Sequence, residues 1–544
     1  MRFQFTNENQ KDYVSSDKLY TIGDGLQHGF LTEVNRNKYD RLQIPELNDG
    51  FVEVYWYEGE QITKLKNHSD GVYVDYAGQG EIPLTFVCDI PKEGNYSVRI
   101  KLKAHDAISN AMVYLGRRRL AYIGSLETDE TVEITALANV CPVIARGKDM
   151  PDEDLTLDVT LIGKNLSIQE IEYSPWDGPT MYIAGDSTVT DQCCSYPYLP
   201  WNSYAAWGQM LSYFLGDAIA VSNHAHSGLT TESFRSKGHY KIMLSRLKPR
   251  DYVLLQFGHN DQKLMELKAH EGYRQRLIKY IDEIRHKGAI PVIISPLARN
   301  SWKKSGEITC YNDLLEDYAK ECELIATEKG VYYIDLHRQS MELIVSKGRD
   351  DVKKLFFPGD YTHTNDYGAY IFASMVYEGL HELKTVEFDK SYVKWQPPEQ
   401  RPDLIIPQKY RNRNNPEVTD IFENMDRPED YITRVEAMDF IIRTCKFFPT
   451  NVYNDYFEDV IGHETYAGIV ECACQNGMIT DDMVTDGKFY PMKKITKREF
   501  VQSLINGYSA RVTISDALCE MLNHLQDMDR FLKRTEAADI CRML

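Results

Sequence analysis

Tyr96, Val98, Ile100 and Leu102 alternate with Ser97, Arg99, Lys101 and Lys103, and only an extended strand puts such a series on one buried face. Leu155, Leu157, Val159 and Leu161 repeat the pattern. Turn-forming clusters such as PKEGN (91–95) and GKN (163–165) separate the runs, with no long helical pattern between them. Residues 1–178 are therefore expected to form a β-sandwich of the jelly-roll type. Tyr55, Trp56 and Tyr57 fall in this stretch. They suit either a sugar-stacking platform, as in carbohydrate-binding modules, or packing within and between domains, and without strand register packing is favoured.

At Met181 the rhythm changes to short apolar runs separated by amphipathic segments, the mark of a parallel sheet covered on both faces. Candidate strands are 181–184, 219–222, 252–257, 291–295 and 331–335. Leu277, Ile278, Ile281 and Ile284 share one face of a helix expected over 270–287, which stops at Gly288. Residues 179–390 thus read as a doubly wound α/β domain, whose functional loops follow the carboxyl ends of the strands. Residues 391–424, rich in proline, asparagine and charge, read as a linker. Residues 425–544 read as helical. Three domains and a linker also suit 544 residues, more than one hydrophobic core supports.

Acidic residues number 81 against 62 basic ones, a net charge of −19, which argues against broad binding to nucleic acid or to an anionic membrane. No apolar run is long enough to span a bilayer, and the N-terminus lacks the apolar stretch and cleavage site of a secretory signal, so a cytoplasmic chain is expected, or an extracellular one if a leader has been removed. Eleven cysteines without the density of a disulfide scaffold fit a reducing compartment. Cys193 and Cys194, and Cys472 with Cys474, lack a second pair at zinc-site spacing, so no metal is expected.

Four segments carry the chemistry, each placed after a strand. AGDSTV (184–189) puts Ser187 just past a strand end, where a nucleophile can meet backbone N–H groups. NHAHSGLTTESF (223–234) offers the Gly228 amide, and FGHND (257–261) the Asn260 side chain, as further donors to an oxyanion. FPGDYTHTN (357–365) sets Asp360 three residues before His363, so that a carboxylate can fix the imidazole tautomer while the ring accepts the serine proton. His224, His226 and His259 lie in the same loops without such a partner, and are read as loop-shaping residues or substrate contacts.

In this order the four segments resemble the SGNH, or GDSL, hydrolases. The resemblance covers about residues 181–385 and implies Ser187 as nucleophile, His363 as general base, Asp360 as its orienting partner, and the Ser187 and Gly228 amides with the Asn260 side chain as the oxyanion hole. The longer forms GDSTVTDQ, FGHNDQK and DYTHTNDYGA look most like rhamnogalacturonan acetylesterases of carbohydrate esterase family twelve, which implies removal of O-acetyl groups from plant cell-wall oligosaccharides derived from rhamnogalacturonan, xylan or mannan. A β-sandwich is a known companion of such esterases. No cofactor is required. The stretch DQCCSYPYLPWNSYAAW (191–207) is longer and more aromatic than usual for the family, and Tyr196, Tyr198 and Trp201 suit either a sugar-facing wall or loop packing. Arg235, Lys237 and Lys263 stand close to the motifs, where a uronic-acid carboxylate or simple solvation would suit them. Two other readings remain: a lipid or thioester hydrolase of the same superfamily, and an inactive polysaccharide-binding protein.

ITRVE (432–436), ITKRE (495–499) and LKRTE (532–536) each open an apolar helix. The fullest copy runs from Phe457 and Asp459 through Asn476 and Gly477 to Phe489, Pro491 and Thr496, and resembles S-layer homology repeats, which bind cell-wall polymers. The last copy lacks the Phe-x-Asp-Val opening, and packing or self-association into a homo-oligomer is the favoured role.

Overall fold

The computed structural model describes residues 1–6, 11–21, 23–31, 65–75, 83–116, 118–144, 150–151, 155–192, 198, 203–305, 308–357, 360–382, 428–445, 457, 459–460, 466–509, 522 and 525–542. Tyr55, Trp56, Tyr57, Cys193, Cys194, Tyr196, Trp201 and the expected linker 391–424 lie outside the described residues.

Among the described residues, eleven strands precede residue 178: β1 (Arg2–Gln4), β2 (His28–Phe30), β3 (Leu65–His68), β4 (Gly71–Val74), β5 (Leu84–Asp89), β6 (Gly94–Ala104), β7 (Ile108–Leu115), β8 (Arg119–Leu126), β9 (Thr131–Val140), β10 (Thr156–Ile162) and β11 (Leu166–Trp176). They make two antiparallel sheets, one in the order β3-β4-β11-β6-β9 with β1 beside β11, the other in the order β2-β5-β10-β7-β8. In β6 the alternation is literal, because Tyr96, Val98, Ile100 and Leu102 are at most 2% exposed while the residues between them are only half-buried. Phe3 and Phe5 from one sheet meet Phe86 from the other edge to face, with ring centroids 4.9 and 5.2 Å apart, so the inner faces share one core.

The next strands are β12 (Thr180–Gly185), the two-residue β13 (Tyr204–Ala205), β14 (Ala220–Asn223), β15 (Tyr252–Gln256) and β16 (Ile290–Ile294). After the hairpin β17 (Trp302–Ser305) and β18 (Ile308–Tyr311) come β19 (Tyr332–Ile334) and the two-residue β20 (Thr364–Asn365). β14, β12, β15, β16 and β19 form, in that order, an all-parallel sheet. Its connections include α1 (Trp207–Leu215), α2 (Ser233–Ser236), α3 (His239–Arg246), α4 (Arg274–His286), α5 (Glu316–Lys329), α6 (Leu336–Asp351) and α7 (Asp366–Glu382). The second strand lies outside the first and the third inside it, so the order reverses beside β12 and opens a crevice at its carboxyl end.

α4 starts four residues later than the sequence pattern predicts. A single π turn precedes it, in which Glu271 leaves helical geometry and Gly272 lies so close to the Glu266 carbonyl that a Cβ would stand 1.8 Å away. Its end is as expected, with Gly288 in the left-handed region.

The 178/179 boundary separates two sequence patterns but not two packed bodies. Residues 1–45, 52–299 and 315–399 form one compact unit. The tip of the β7–β8 hairpin reaches into the α/β region: the Ser212 hydroxyl donates to the Leu120 carbonyl at 2.7 Å, and Gln209 Nε2 donates to the Arg118 carbonyl at 2.9 Å.

Residues 300–314 and 400–544 belong to a second unit. Its described helices are α8 (Arg434–Thr444), α9 (Ala467–Gln475), α10 (Lys497–Ser509) and α11 (Arg534–Arg542). The three repeated segments close on one another: Ile432 N donates to Leu532 O at 2.9 Å, Leu532 N to Ile495 O at 3.1 Å, and Ile495 N to Ile432 O at 3.2 Å. Thr433 with Glu436 and Thr496 with Glu499 form capping boxes, each threonine hydroxyl meeting the amide three residues on while the glutamate reaches back. Arg434, 2% exposed at its side chain, bonds Glu499 at 2.7 Å, and Arg534 bonds Glu436, so each pair joins two repeats.

Candidate active site

Ser187 sits in the turn that follows β12. Gly185 makes the turn possible, because a Cβ there would lie 2.6 Å from the Gln256 carbonyl on the adjacent strand. Asp186 ties the turn down: its Oδ1 accepts from Thr188 N at 2.9 Å and from Thr188 Oγ1 at 2.8 Å, and its carbonyl accepts from the Val189 and Thr190 amides. Gln192 Nε2 donates to the Ser187 carbonyl at 2.5 Å.

His363 arrives from the far end of the region, between Asp360 and β20. His363 Nε2 lies 2.7 Å from Ser187 Oγ, and Nδ1 lies 2.8 Å from Asp360 Oδ2. A carboxylate only accepts, so Nδ1 carries the proton and Nε2 presents its lone pair to the serine hydroxyl. Asp360 Oδ1 accepts from the Thr362 and His363 amides at 2.8 and 2.9 Å. Burial alone would raise the Asp360 pKa, but the facing imidazole and these two N–H donors outweigh it and hold the group below the ordinary carboxylate value.

The prospective oxyanion donors Gly228 and Asn260 come from two loops bonded to each other at Leu229. Gly228 has φ +78°, a left-handed conformation suited to glycine, and neither its amide nor that of Ser187 donates to another group among the described residues. Asn260 Nδ2 donates one hydrogen to the Leu229 carbonyl at 3.0 Å, and Oδ1 accepts from Lys263 Nζ at 2.7 Å. The lysine therefore fixes which way the amide faces and leaves its second N–H for a ligand. Lys263 is exposed as a residue, and desolvation of its ammonium group, with the Arg299 charge added, lowers its pKa to about 7.

Behind the donors lie two buried carboxyl groups. Asp186 Oδ2 is 3.4 Å from His259 Nδ1, and His259 Nε2 donates to the Leu297 carbonyl at 2.8 Å. Burial pulls the His259 pKa down, whereas on Asp186 the same desolvation is outweighed by His259 and Thr188, leaving its pKa low. Asp261 Oδ1 accepts from Thr231 N at 2.9 Å and Thr231 Oγ1 at 2.5 Å, and burial pushes its pKa up to about 7. His224 is stacked on Tyr182 and bonded to Ser222, and His226 Nδ1 faces the Ser227 carbonyl at 3.3 Å. Both are buried parts of the loop walls.

Three of the sequence expectations are overturned. His259, read as lacking a carboxylate partner, faces Asp186, which is far from it in sequence. Tyr198 is 0% exposed and lies under the Arg118 guanidinium, 5.6 Å from its ring centroid, so it packs the interior and forms no sugar-facing wall. Arg235 makes a two-pronged ion pair with Glu283, at 2.7 and 2.9 Å, and lies over the rings of Tyr240 and Tyr280, so its charge is already met by a carboxylate of α4. Other residues escaped sequence reasoning. Tyr204 stacks on Phe357 with centroids 3.7 Å apart, meets His363 edge-on, and donates to Asp360 Oδ2 at 3.4 Å. Arg299 bonds Thr362 Oγ1 and the His259 carbonyl, joining two of the motif loops. Nothing in the spacing of either residue points to the site; only their place after or between strands does.

Away from the site, ligand atoms of His68, Asp70 and His105 come within 4.8 Å of one another. Lys103 Nζ already stands 2.8 Å from Asp70 Oδ2, and a cation would have to displace it.

Residues 183–371 match the model of the GDSL-like lipase/acylhydrolase family. Over 216 residues the chain is 33% identical to the rhamnogalacturonan acetylesterase RhgT of Bacillus subtilis (strain 168), an alignment covering 37% of this chain and 90% of that protein. The chain belongs to the GDSL family. It is accordingly a serine ester hydrolase, with the SGNH hydrolase fold in its central region. A rhamnogalacturonan acetylesterase of Emericella nidulans is 27% identical to this GDSL hydrolase over 219 residues, covering 36% of this chain and 81% of that one. The solved structure of Bacillus subtilis YxiM is similar over 70% of this chain and 98% of its own length, at 23% identity and a TM-score of 0.37.

Proposed function

We propose that this GDSL hydrolase is a carbohydrate O-acetylesterase that deacetylates rhamnogalacturonan fragments through a serine acetyl-enzyme. The observation that carries the reading is the chain of hydrogen bonds from Ser187 Oγ through His363 to Asp360, at 2.7 and 2.8 Å. Ser187 Oγ attacks the acetyl carbonyl carbon while its proton passes to His363 Nε2. The tetrahedral oxyanion is met by the Ser187 and Gly228 amides and the Asn260 side chain, donors that act where charge develops. His363 then protonates the departing sugar oxygen, leaving acetyl-Ser187. Water, deprotonated by His363, attacks the acetyl group, and collapse releases acetate and restores the serine proton.

The sugar assignment draws on the relatives named rhamnogalacturonan acetylesterases. Lys263 keeps further N–H donors beyond the one given to Asn260, and these suit the carboxylate of a uronic-acid unit beside the acetylated sugar. The test is acetate release from acetylated rhamnogalacturonan, xylan and mannan oligosaccharides, with the Ser187→Ala protein in parallel. Release from rhamnogalacturonan that vanishes in the variant is expected. Release from xylan or mannan alone would move the substrate, and hydrolysis confined to long-chain acyl esters would replace the reading by a lipid hydrolase.

A further inference from the structure

The two strands that frame His363 are very short. β20 follows the histidine directly and pairs with β13, Thr364 opposite Ala205 and Asn365 opposite Tyr204. A two-residue ladder is too short to hold a loop by itself, so something else must fix it. Part of that support comes from within the α/β region, where Phe357 N donates to the His363 carbonyl and Asn365 Nδ2 to the Lys354 carbonyl, and part from the N-terminal sandwich.

Arg118 stands at the tip of the β7–β8 hairpin with φ +57°, a conformation an arginine adopts at a cost in strain. Its side chain is 5% exposed. Nη2 donates to Asp366 Oδ1 at 2.6 Å, and Nη1 donates to the Tyr204 carbonyl at 2.6 Å. One planar guanidinium thus spans both sides of the ladder, Asp366 just after β20 and Tyr204 at the start of β13. Both contacts lead to the histidine: Asp366 lies three residues past His363, while the Tyr204 ring touches the imidazole and its hydroxyl donates to Asp360. Gln209 secures the hairpin tip from the other direction. Its Nε2 holds the Arg118 carbonyl, and its Oε1 accepts from the Gln192 and Ala206 amides at 3.0 and 3.1 Å.

We propose that Arg118 is a positioning residue for His363, so that the sandwich supplies part of the catalytic frame. The inference rests on the esterase reading above. Loosening the frame leaves the substrate-binding surface intact and spoils the alignment of Nε2 with Ser187 Oγ, an effect that falls on kcat.

The experiment uses the full chain with p-nitrophenyl acetate as probe. The parent and Ser187→Ala proteins come first, and activity that does not depend on Ser187 would overturn the esterase reading itself. Arg118→Met is expected to lower kcat by about 10–100-fold with KM nearly unchanged. Because that variant strands a buried Asp366 carboxylate, the pair Arg118→Met with Asp366→Asn removes both charges. The pair is expected to regain thermal stability and to keep the kcat defect. Arg118→Lys, which keeps the charge but cannot reach both partners with one fork, is expected to fold and to lie between the parent and Arg118→Met in kcat, at least about threefold below the parent. Arg246→Met breaks the ion pair between Arg246, at the end of α3, and Glu93 of the sandwich, away from the β13–β20 ladder, and is expected to leave kcat unchanged. A folded double variant or Arg118→Lys protein with kcat within twofold of the parent would overturn the inference, as would a loss in Arg246→Met equal to that in Arg118→Met.

Discussion

Replacing Asp360 by asparagine exchanges one carboxylate oxygen for NH2 without changing shape. The turn decides which oxygen is exchanged. The amides of Thr362 and His363 both donate to Oδ1, so that position keeps an acceptor, and the new NH2 takes the place of Oδ2, 2.8 Å from His363 Nδ1. An NH2 there donates to the ring and drives its proton to Nε2. The nitrogen 2.7 Å from Ser187 Oγ then carries a hydrogen where a lone pair is needed. The same exchange in serine triads lowers kcat by about 10⁴, or roughly 5 kcal/mol at 1.36 kcal/mol per tenfold. KM for an acetyl ester is expected to change little, since Asp360 meets no substrate. The melting temperature is expected to stay close to that of the parent, because both turn hydrogen bonds survive. Asp360→Ala deletes those as well and is expected to be destabilised by a further ~1–3 kcal/mol. Steady-state hydrolysis of p-nitrophenyl acetate and thermal melts of the three proteins read both quantities. Retention of more than a tenth of the parent kcat by a folded Asp360→Asn protein would show that this carboxylate does not set the tautomer.

Asn260→Ala removes one oxyanion donor and is expected to reduce kcat by about 10²–10³-fold with a modest change in KM; equal rates would remove Asn260 from the mechanism. Gly228→Ala meets no neighbouring atom, yet φ +78° costs alanine about 1–2 kcal/mol, so the loop is expected to relax and carry its amide away, lowering kcat at constant KM; an unaltered kcat would count against that donor. Asp261 has a folded pKa of about 7, above the unfolded value of about 3.9, so the folded state holds its proton more tightly. Stability from this group is therefore complete below about pH 4, falls as pH rises to about 7, and is level above that, a change on the order of 4 kcal/mol at most. Asp261→Asn is expected to flatten that slope and to melt higher than the parent at pH 8; a difference in melting temperature independent of pH would refute this.

Much of the catalytic region was legible because its chemistry is local. Asp360 and His363 are three residues apart, and Ser187, Gly228 and Asn260 each follow a strand whose apolar run is visible in sequence. The parallel sheet was legible for the same reason. What stayed hidden depends on distant approach. Tyr198 suited a sugar-facing wall as well as loop packing because nothing in its segment announces the guanidinium that covers it. Arg235 looked available because its partner, Glu283, lies 48 residues away on a helix face that periodicity assigns to solvent. Arg118 sits in a hairpin that no sequence motif singles out, and its burial follows only from the docking of that hairpin on α1. Periodicity reports which face of an element is apolar, and it is silent on which element arrives to cover a polar one.

The closed arrangement of the three C-terminal repeats bears on how that region comes to exist. In a linear array each repeat leans on its neighbour, so an end can fray or be removed while the middle persists. Here the Ile432 amide is bonded to Leu532 and the Ile495 amide to Ile432. The first repeat is thus complete only when a segment about a hundred residues downstream has been synthesised. During translation the earlier helices must wait, their apolar faces uncovered, until the last one leaves the ribosome. The region is then expected to form in a single late step, and to be lost in a single step when the chain is cut before Leu532.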